Sequence, residues 1–253
     1  MGLKIFLLPE YFDVDRPEDL AFLDKKISVI VPVYNEEDLI LRQLERIRQS
    51  ANDVALELIV VDGGSSDRTV ERAKPLADEV LVSPRPGRAA QMHLGAQKSS
   101  GDLLFFLHAD TLLPENWALI LQNAFSRNGN SPAAAAFDLS FDSDRWPYRV
   151  IEGLARIRNR ITGVPQGDQG LIVQREAYFG AGGFPDVPLM EEYFLLPELK
   201  KRGKVTIIEE AVRTSARRYE RSGPFRNALK NIGITLAFFA GVSPEKLAKW
   251  YRS

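Results

Sequence analysis

Four short stretches of this 253-residue chain end apolar runs with groups that can do chemistry. They are residues 32–36 (PVYNE), residues 62–67 (DGGSSD), Gly87-Arg88 and His108-Ala109-Asp110. Together they supply carboxylates, hydroxyls, a guanidinium and backbone amides beside glycines. That set suits a nucleoside diphosphate held with a divalent cation, because amides and arginine meet phosphate oxygens while carboxylates ligate the ion. Asp110 is the focal residue, since it follows the apolar run 103–107 (LLFFL) almost at once. Taken alone it reads as a cap or turn residue before Pro114; the company of the other loops makes it a ligand candidate.

These groups need a scaffold that brings strand ends together. ISVIVPVY (27–34) is a continuous apolar run of the kind covered on both faces of a parallel sheet, and Pro32 should stop its ladder. Asn35 reads as the N-cap of a helix with Glu36, Glu37 and Asp38 in its first turn and Ile40, Leu44 and Ile47 inward. LELIVV (56–61) is a second strand, and the helix from about residue 67 ends near Pro75. Residues 79–83 and 103–107 are further strands, separated by a helix to Gln97. The last strand is followed by a helix with Trp117, Ile120, Leu121 and Ala124 on one face. This β-α alternation predicts an α/β fold with a mostly parallel, Rossmann-like sheet flanked by helices. The four candidate loops then share one edge.

The second half changes character. Phe137, Leu139 and Phe141 alternate with polar residues as in a half-buried strand. Residues 148–161 are helical, and Arg149, Arg156, Arg158 and Arg160 read as a solvated face. Gly167-Asp168-Gln169-Gly170 precedes a short strand, LIVQ. Glu191-Glu192 opens a helix that Pro197 should interrupt, and residues 205–208 form another strand. A C-terminal helical segment begins near Pro224, with a fresh start at Ser243-Pro244-Glu245. Its stripe of Leu229, Ile232, Leu236 and Phe239, with Phe238 beside it, reads first as core or an oligomer contact and second as interfacial membrane attachment. Residues 1–25 read as an irregular extension. Without repeats or a low-complexity linker, a single domain over 1–253 is expected, with a nucleotide-binding half (27–126) and an acceptor-side half (133–253).

Composition narrows the function. At 45% hydrophobic and 26% charged the chain should fold, and a net charge of −1 leaves no basic face for nucleic acid. The absence of cysteine excludes disulfides, thiolate catalysis and cysteine metal sites, and fits a reducing cytoplasm. The IFLL run after Lys4 is too short for a signal-peptide core, and the apolar run 232–242 falls short of the ~20 residues that span a bilayer. The expected location is therefore cytoplasmic, with contact at the inner membrane face if the stripe is interfacial. No GxGxxG follows the first strand and no GxxxxGK[ST] occurs, which argues against dinucleotide and P-loop sites.

Several motifs carry a family resemblance. IVPVYNEE (30–37), IVVDGGSSDRT (59–69), the strand ending His108-Ala109-Asp110, Gly167–170 and Gly182-Gly183-Phe184-Pro185 resemble the family 2 glycosyltransferases. The later motifs, with Thr214–Tyr219, resemble a small bacterial subgroup labelled for arsenosugar biosynthesis. The resemblance implies a GT-A fold and inverting transfer of a sugar from a UDP- or GDP-sugar to an acceptor it does not name. It implies that Pro32, Tyr34 and Glu36 border the nucleobase and ribose and that Asp62, within the Gly63-Gly64 loop, contacts the base. Gly87 and Arg88 approach the phosphates, and Arg217-Arg218 clamp the diphosphate. Asp110 takes the last position of the family's DxD motif and binds Mn²⁺ or Mg²⁺. His108 stands at the first position, where imidazole suits Mn²⁺ better than Mg²⁺. The general base falls on Glu192, with Glu191 as alternate, where relatives carry Glu-Asp. On the residues alone, both acids read as complements to a helix dipole. Asp168 is a further catalytic-site candidate toward either sugar, with an Asx-turn as the plainer reading. A nucleotidyltransferase, or a nucleotide-sugar-binding protein that has lost turnover, remains open on these residues.

Overall fold

The computed structural model describes residues 25–51, 54–125, 131–216 and 223–252. Among them, strands β1 (Ile27–Val33), β2 (Leu56–Asp62), β3 (Glu79–Val82) and β4 (Leu103–Phe106) pair in parallel in the order β3-β2-β1-β4. The sheet continues through β7 (Leu171–Gln174), β6 (Ala134–Phe141), β8 (Val205–Thr214) and β5 (Thr111–Leu112). Strand β7 runs antiparallel to β4, with Phe106 opposite Leu171. Its start therefore lies at the end of β4, beside the loop that carries His108 and Asp110.

Alternate residues of the inner strands feed two cores. Ile27, Val29 and Val31 pack with Leu103 and Phe105 under α1 (Ile40–Gln49) and α4 (Trp117–Phe125). Ile30, Leu104 and Phe106 face the other way, toward α3 (Arg88–Lys98) and α7 (Glu191–Lys200). Burial on both faces is why these strands carry no polar alternation. Gly95 lets α3 lie on the sheet, since a Cβ there would fall 2.4 Å from Ile30 Cγ2. The remaining helices are α2 (Thr69–Ala73), α5 (Trp146–Thr162), α6 (Arg175–Gly180), α8 (Pro224–Phe239) and α9 (Pro244–Arg252).

Several expectations are corrected. The first helix starts at Ile40 and not after Asn35. Asn35 adopts φ 54°, and its side-chain oxygen accepts the Ser66 N–H at 2.9 Å, so it bridges two loops and caps no helix. Pro197 does not interrupt α7, because Leu195, Leu196 and Leu199 are fully buried and packing outweighs the lost backbone bond. Strand β8 extends past Ile208 to Thr214, across a bulge: Phe137 faces Ile208 while Asp138 faces Ala211. Of the α5 arginines expected on a solvated face, Arg149, Arg156 and Arg160 are exposed and Arg158 alone turns inward. Arg149 pairs with buried Glu152 at 2.9 Å, Arg156 with Asp138 at 2.5 Å, and Arg158 donates to Asn159 and Gln169. The stripe on α8 is not core, since Leu229, Leu236 and Phe239 are each more than half exposed. Apart from Lys25, the N-terminal extension lies outside the described residues.

Glu57 ties β2 to the turn before β4. Burial alone would raise its pKa, but hydrogen bonds from the Ser100 N–H, the Ser28 and Ser100 hydroxyls and Lys26 hold it down at about 2. The carboxylate is the bound form, so its contribution is complete above the unfolded value near 4.5 and fades as pH falls toward 2. Glu57→Ala should cost about 1–2 kcal/mol at neutral pH, read as a lower melting temperature, and the deficit should shrink between pH 4.5 and 2.

Candidate functional site

The loops after β1 and β2 lock to one another. Asp62 Oδ2 accepts the N–H groups of Gly64 and Ser65 at 2.8 and 2.9 Å, and its other oxygen accepts the Ser65 hydroxyl. Ser65 Oγ in turn accepts the Asn35 N–H at 2.8 Å, and Thr69 Oγ1 accepts the Glu36 N–H at 2.8 Å. Gln91, buried on α3, donates to the carbonyls of Val33 and Val61 at 2.8 and 2.7 Å and so fixes both strand ends. Tyr34 stands out from this platform, 62% exposed. Gly64 at φ 91° makes the turn that presents its amide to Asp62.

Helix α3 begins after Gly87, at φ 124°, with Arg88. The Arg88 Nε donates to Glu191 Oε1 at 2.7 Å, and a terminal nitrogen lies 3.6 Å from Glu192 Oε1. Both glutamates open α7 and are almost wholly buried. Two adjacent buried acids share one guanidinium, so one of them should resist ionisation. Burial, then the neighbouring Glu191 charge, pushes Glu192 up to about 7 against the pull of Arg88. The partly buried Arg88 guanidinium is held charged, above its usual range, by Glu191 and Glu192 against the cost of its desolvation.

Glu192 Oε1 has no hydrogen-bond partner among the described residues. A Cβ built on Gly167 would lie 2.6 Å from that oxygen and 3.0 Å from His108 Nε2, so only hydrogen fits between them. The turn at Gly167–Gln169 is anchored by Gln169, whose side chain donates to the Phe137 carbonyl at 2.9 Å and accepts from Asn159 at 3.0 Å. That anchor sets Asp168, whose Oδ1 is buried and likewise without a partner among the described residues. Burial raises the Asp168 pKa; Arg158 and Arg88 oppose this, and Asp110 adds to it.

The structure thus brings Arg88, His108, Asp110, Asp168, Glu191 and Glu192 to one cavity of about 290 Å³. Pro32, Tyr34, Glu36, Asp62 and Gly64 gather at the neighbouring ends of β1 and β2, outside this cavity. Arg217 and Arg218 lie outside the described residues. Sequence reading missed Gln91, Gln169 and the inward turn of Arg158. A glutamine inside an apolar helix face was the one available signal for Gln91. His93 is structural, with Nδ1 3.0 Å from the Tyr178 hydroxyl.

Among the described residues no three His, Asp or Glu side chains form a self-sufficient metal cluster. Asp110 and His108 offer one carboxylate and one imidazole at the cavity wall. That donor set fits an ion whose coordination is completed by phosphate oxygens of a bound nucleotide, and imidazole favours Mn²⁺.

Comparison with known proteins agrees with this architecture. Glucosyl-3-phosphoglycerate synthase from Mycobacterium tuberculosis, solved with Mn²⁺, UDP and glucosyl-3-phosphoglycerate, superposes with TM-score 0.58 at 19% identity, covering 90% of this chain and 85% of that one. A mannosyltransferase from Pyrobaculum calidifontis, solved with GDP-mannose and Mn²⁺, gives 0.59 at 22% identity, covering 89% and 68%. At these identities the likenesses show the fold, which is GT-A. Undecaprenyl-phosphate 4-deoxy-4-formamido-L-arabinose transferase from Pseudomonas paraeruginosa is 30% identical over 160 residues, 58% of this chain and 46% of the relative. Dolichol-phosphate mannosyltransferase from Pyrococcus furiosus is 27% identical over 128 residues, 49% of this chain and 36% of the relative. The chain spans about half the length, or less, of these curated relatives. The family described as Glycosyl transferase family 2 matches residues 28–183, more than half of the sequence, and the chain belongs to it: it is a glycosyltransferase.

Proposed function

We propose that this enzyme moves a sugar from a UDP- or GDP-sugar to an acceptor hydroxyl with inversion at the anomeric carbon, in a single in-line displacement. The supporting observation is Glu192: a buried carboxylate of raised proton affinity, with an oxygen that accepts no hydrogen bond among the described residues, at a cavity shared with Arg88, His108 and Asp110. Glu192 takes the acceptor proton as the hydroxyl oxygen attacks; the bond from the anomeric carbon to the diphosphate breaks on the opposite side. Arg88, oriented by Glu191, faces the negative charge that develops on the diphosphate. Asp110, with His108, would hold Mn²⁺ or Mg²⁺, whose charge neutralises that leaving group. Asp168 sits on the acceptor side and orients a sugar or acceptor hydroxyl. The platform of Pro32, Tyr34, Glu36, Asp62 and Gly64 receives the nucleoside, and Gly87 leads into the phosphate side.

A single domain suits this reading, with nucleotide-binding (27–126) and acceptor-side (133–253) halves. Resemblance of the later motifs supports the small subgroup labelled for arsenosugar biosynthesis, without naming an acceptor. Among the described residues no helix is long and apolar enough to cross a membrane. The exposed stripe on α8 suits peripheral contact at an inner membrane face or between copies.

The site assignment is tested by Asp110→Asn with a Mn²⁺ titration of donor hydrolysis and transfer. The half-saturating Mn²⁺ concentration should rise about 10–100-fold, a range typical of weakened metal sites. Unchanged metal dependence would remove Asp110 from the site. Donor binding without turnover toward any acceptor would favour a binding protein, for which His108 and Glu192 are the motivating departures.

A further inference from the structure

Helix α5 exposes Trp146, Val150, Leu154, Ile157 and Ile161 at successive spacings of four, four, three and four residues. Helix α8 exposes Phe225, Leu229, Ile232, Leu236 and Phe239 at spacings of four, three, four and three. Each pattern is one stripe along one face of its helix. The helices lie together, with the Trp146 and Phe225 rings 5.5 Å apart and Ala228 packed in a cluster with Ile151 and Ala155. The two stripes thus border a groove of about 360 Å³, walled by Leu154, Ile157, Ile161, Ile232, Leu236 and Phe239. So many apolar side chains left in water on adjoining helices point to a ligand or surface.

The groove does not end blindly. Gln166, Asp168, Asn231 and Thr235 line both the groove and the cavity that holds Glu192. At this shared wall the buried Asp168 Oδ1, and beside it on the groove side Arg158 Nε, lack hydrogen-bond partners among the described residues. A molecule lying in the groove therefore presents its end to the transfer site. Its body must be apolar and its end must hydrogen-bond. Glu192 Oε1, buried at the cavity and accepting no hydrogen bond among the described residues, suits an end that must give up a proton to attack, which is a neutral hydroxyl and not a phosphate already ionised.

Charge says where such a molecule is met. Helices α5, α8 and α9 carry nine basic side chains against two acidic ones, although the whole chain is at −1. Arg160, Arg226, Lys246 and Lys249 are exposed and make no ion pair among the described residues. Basic groups beside exposed Trp, Phe, Leu and Ile are the pattern of a helix lying in an anionic bilayer surface.

We propose that the groove between α5 and α8 seats the hydrocarbon chain of a hydroxyl-bearing membrane lipid, and that this lipid is the acceptor. The proposal rests on the glycosyl-transfer reading above. In the step itself the lipid hydroxyl oxygen bonds to the anomeric carbon, its proton passes to Glu192, and the nucleoside diphosphate leaves with the electrons of the broken bond. The products are a glycosylated lipid and the free nucleoside diphosphate.

The test offers UDP-glucose and GDP-mannose with Mn²⁺ and a series of 1-O-alkylglycerols of increasing chain length, with glycerol as the chainless control. Transfer efficiency should rise about fourfold per added CH₂ until the groove is filled, as expected for burying apolar chain. The double variant Ile161→Asp, Leu236→Asp alters two residues that are 79% and 64% exposed, so it should fold. It should flatten that chain-length dependence, and lose flotation with phosphatidylcholine–phosphatidylglycerol vesicles, while donor hydrolysis stays unchanged. Equal transfer to glycerol and to the longest alkylglycerol would overturn the proposal. So would preference for a polyprenyl phosphate over the alkylglycerols, or a wild-type dimer that the double variant makes monomeric while chain-length dependence persists. Absence of both donor hydrolysis and transfer in the wild type would instead sink the glycosyl-transfer reading on which it rests.

Discussion

Glu192→Gln is expected to lower kcat by about 10²–10⁴-fold, the span that a general base contributes, with the donor KM changed only a few-fold. The amide fills the same space beside Gly167 but cannot take a proton from the acceptor. Folding should not suffer, because the change removes one of two adjacent buried acids; an unchanged or raised melting temperature would show that the loss is chemical. The wild-type profile carries a matching sign. Burial and the charge of Glu191 favour protonated Glu192, so the base form builds only as pH rises through about 7. In the wild type, kcat/KM should therefore climb across that midpoint and flatten above it, and in the glutamine variant the rising limb should vanish. Glu191→Gln serves as the contrast. It loosens Arg88 and removes a charge that raises Glu192, so the rising limb should persist but move to lower pH, and loss of the limb from that variant alone would move the base to Glu191.

Removing Arg88 should be the most damaging single change to stability at the site. Arg88→Met leaves Glu191 and Glu192 buried without their countercharge, an arrangement that costs roughly 3–5 kcal/mol when one partner of a buried pair is deleted. The lower end applies, because the guanidinium is 37% exposed and water shares its charge. A melting point lowered by about 10 °C at neutral pH follows for a chain of this size. The deficit should shrink as pH falls, since protonating Glu192 removes part of the uncompensated charge. Activity should drop as well, because the same guanidinium is the one proposed to meet the diphosphate. Arg88→Lys should recover part of the stability and little of the activity, as an ammonium cannot reproduce the planar fork that meets Glu191. A methionine variant with full stability across pH would show that the glutamates find their compensation elsewhere.

Much of the parallel half was legible in the sequence, because strands covered on both faces leave an unbroken apolar run. Leu103–Phe106 is wholly of that kind, and Ile27–Val33 and Leu56–Asp62 depart from it only at Ser28, Glu57 and the terminal Asp62. Errors came where a side chain chose a distant partner over a local one. Asn35 resembles a helix cap in every local respect, yet it bonds to Ser66, 31 residues away. Pro197 is a helix breaker by propensity, and three buried leucines override it. The bulge opposite Phe137 and Asp138 hid the length of β8, since it breaks the alternation that marks a strand. At the site, residue types were readable and their assembly was not. Asp168 meets the His108 loop only because β7 runs antiparallel to β4, and pairing direction leaves little trace in short strands. Arg158 looked like its solvated neighbours, and only the tertiary position of Gln169 turns it inward.

The ladder between β4 and β7 also limits how this enzyme can move. Residues from Leu103 to Phe106 pair with residues from Gln174 back to Leu171, joining the parallel strands to the strand that begins after Asp168. Two lobes that share a sheet cannot swing apart without breaking main-chain hydrogen bonds in the buried centre. A hinge between the two halves is therefore disfavoured, and the proposed substrate capture falls to the loops at the sheet edge.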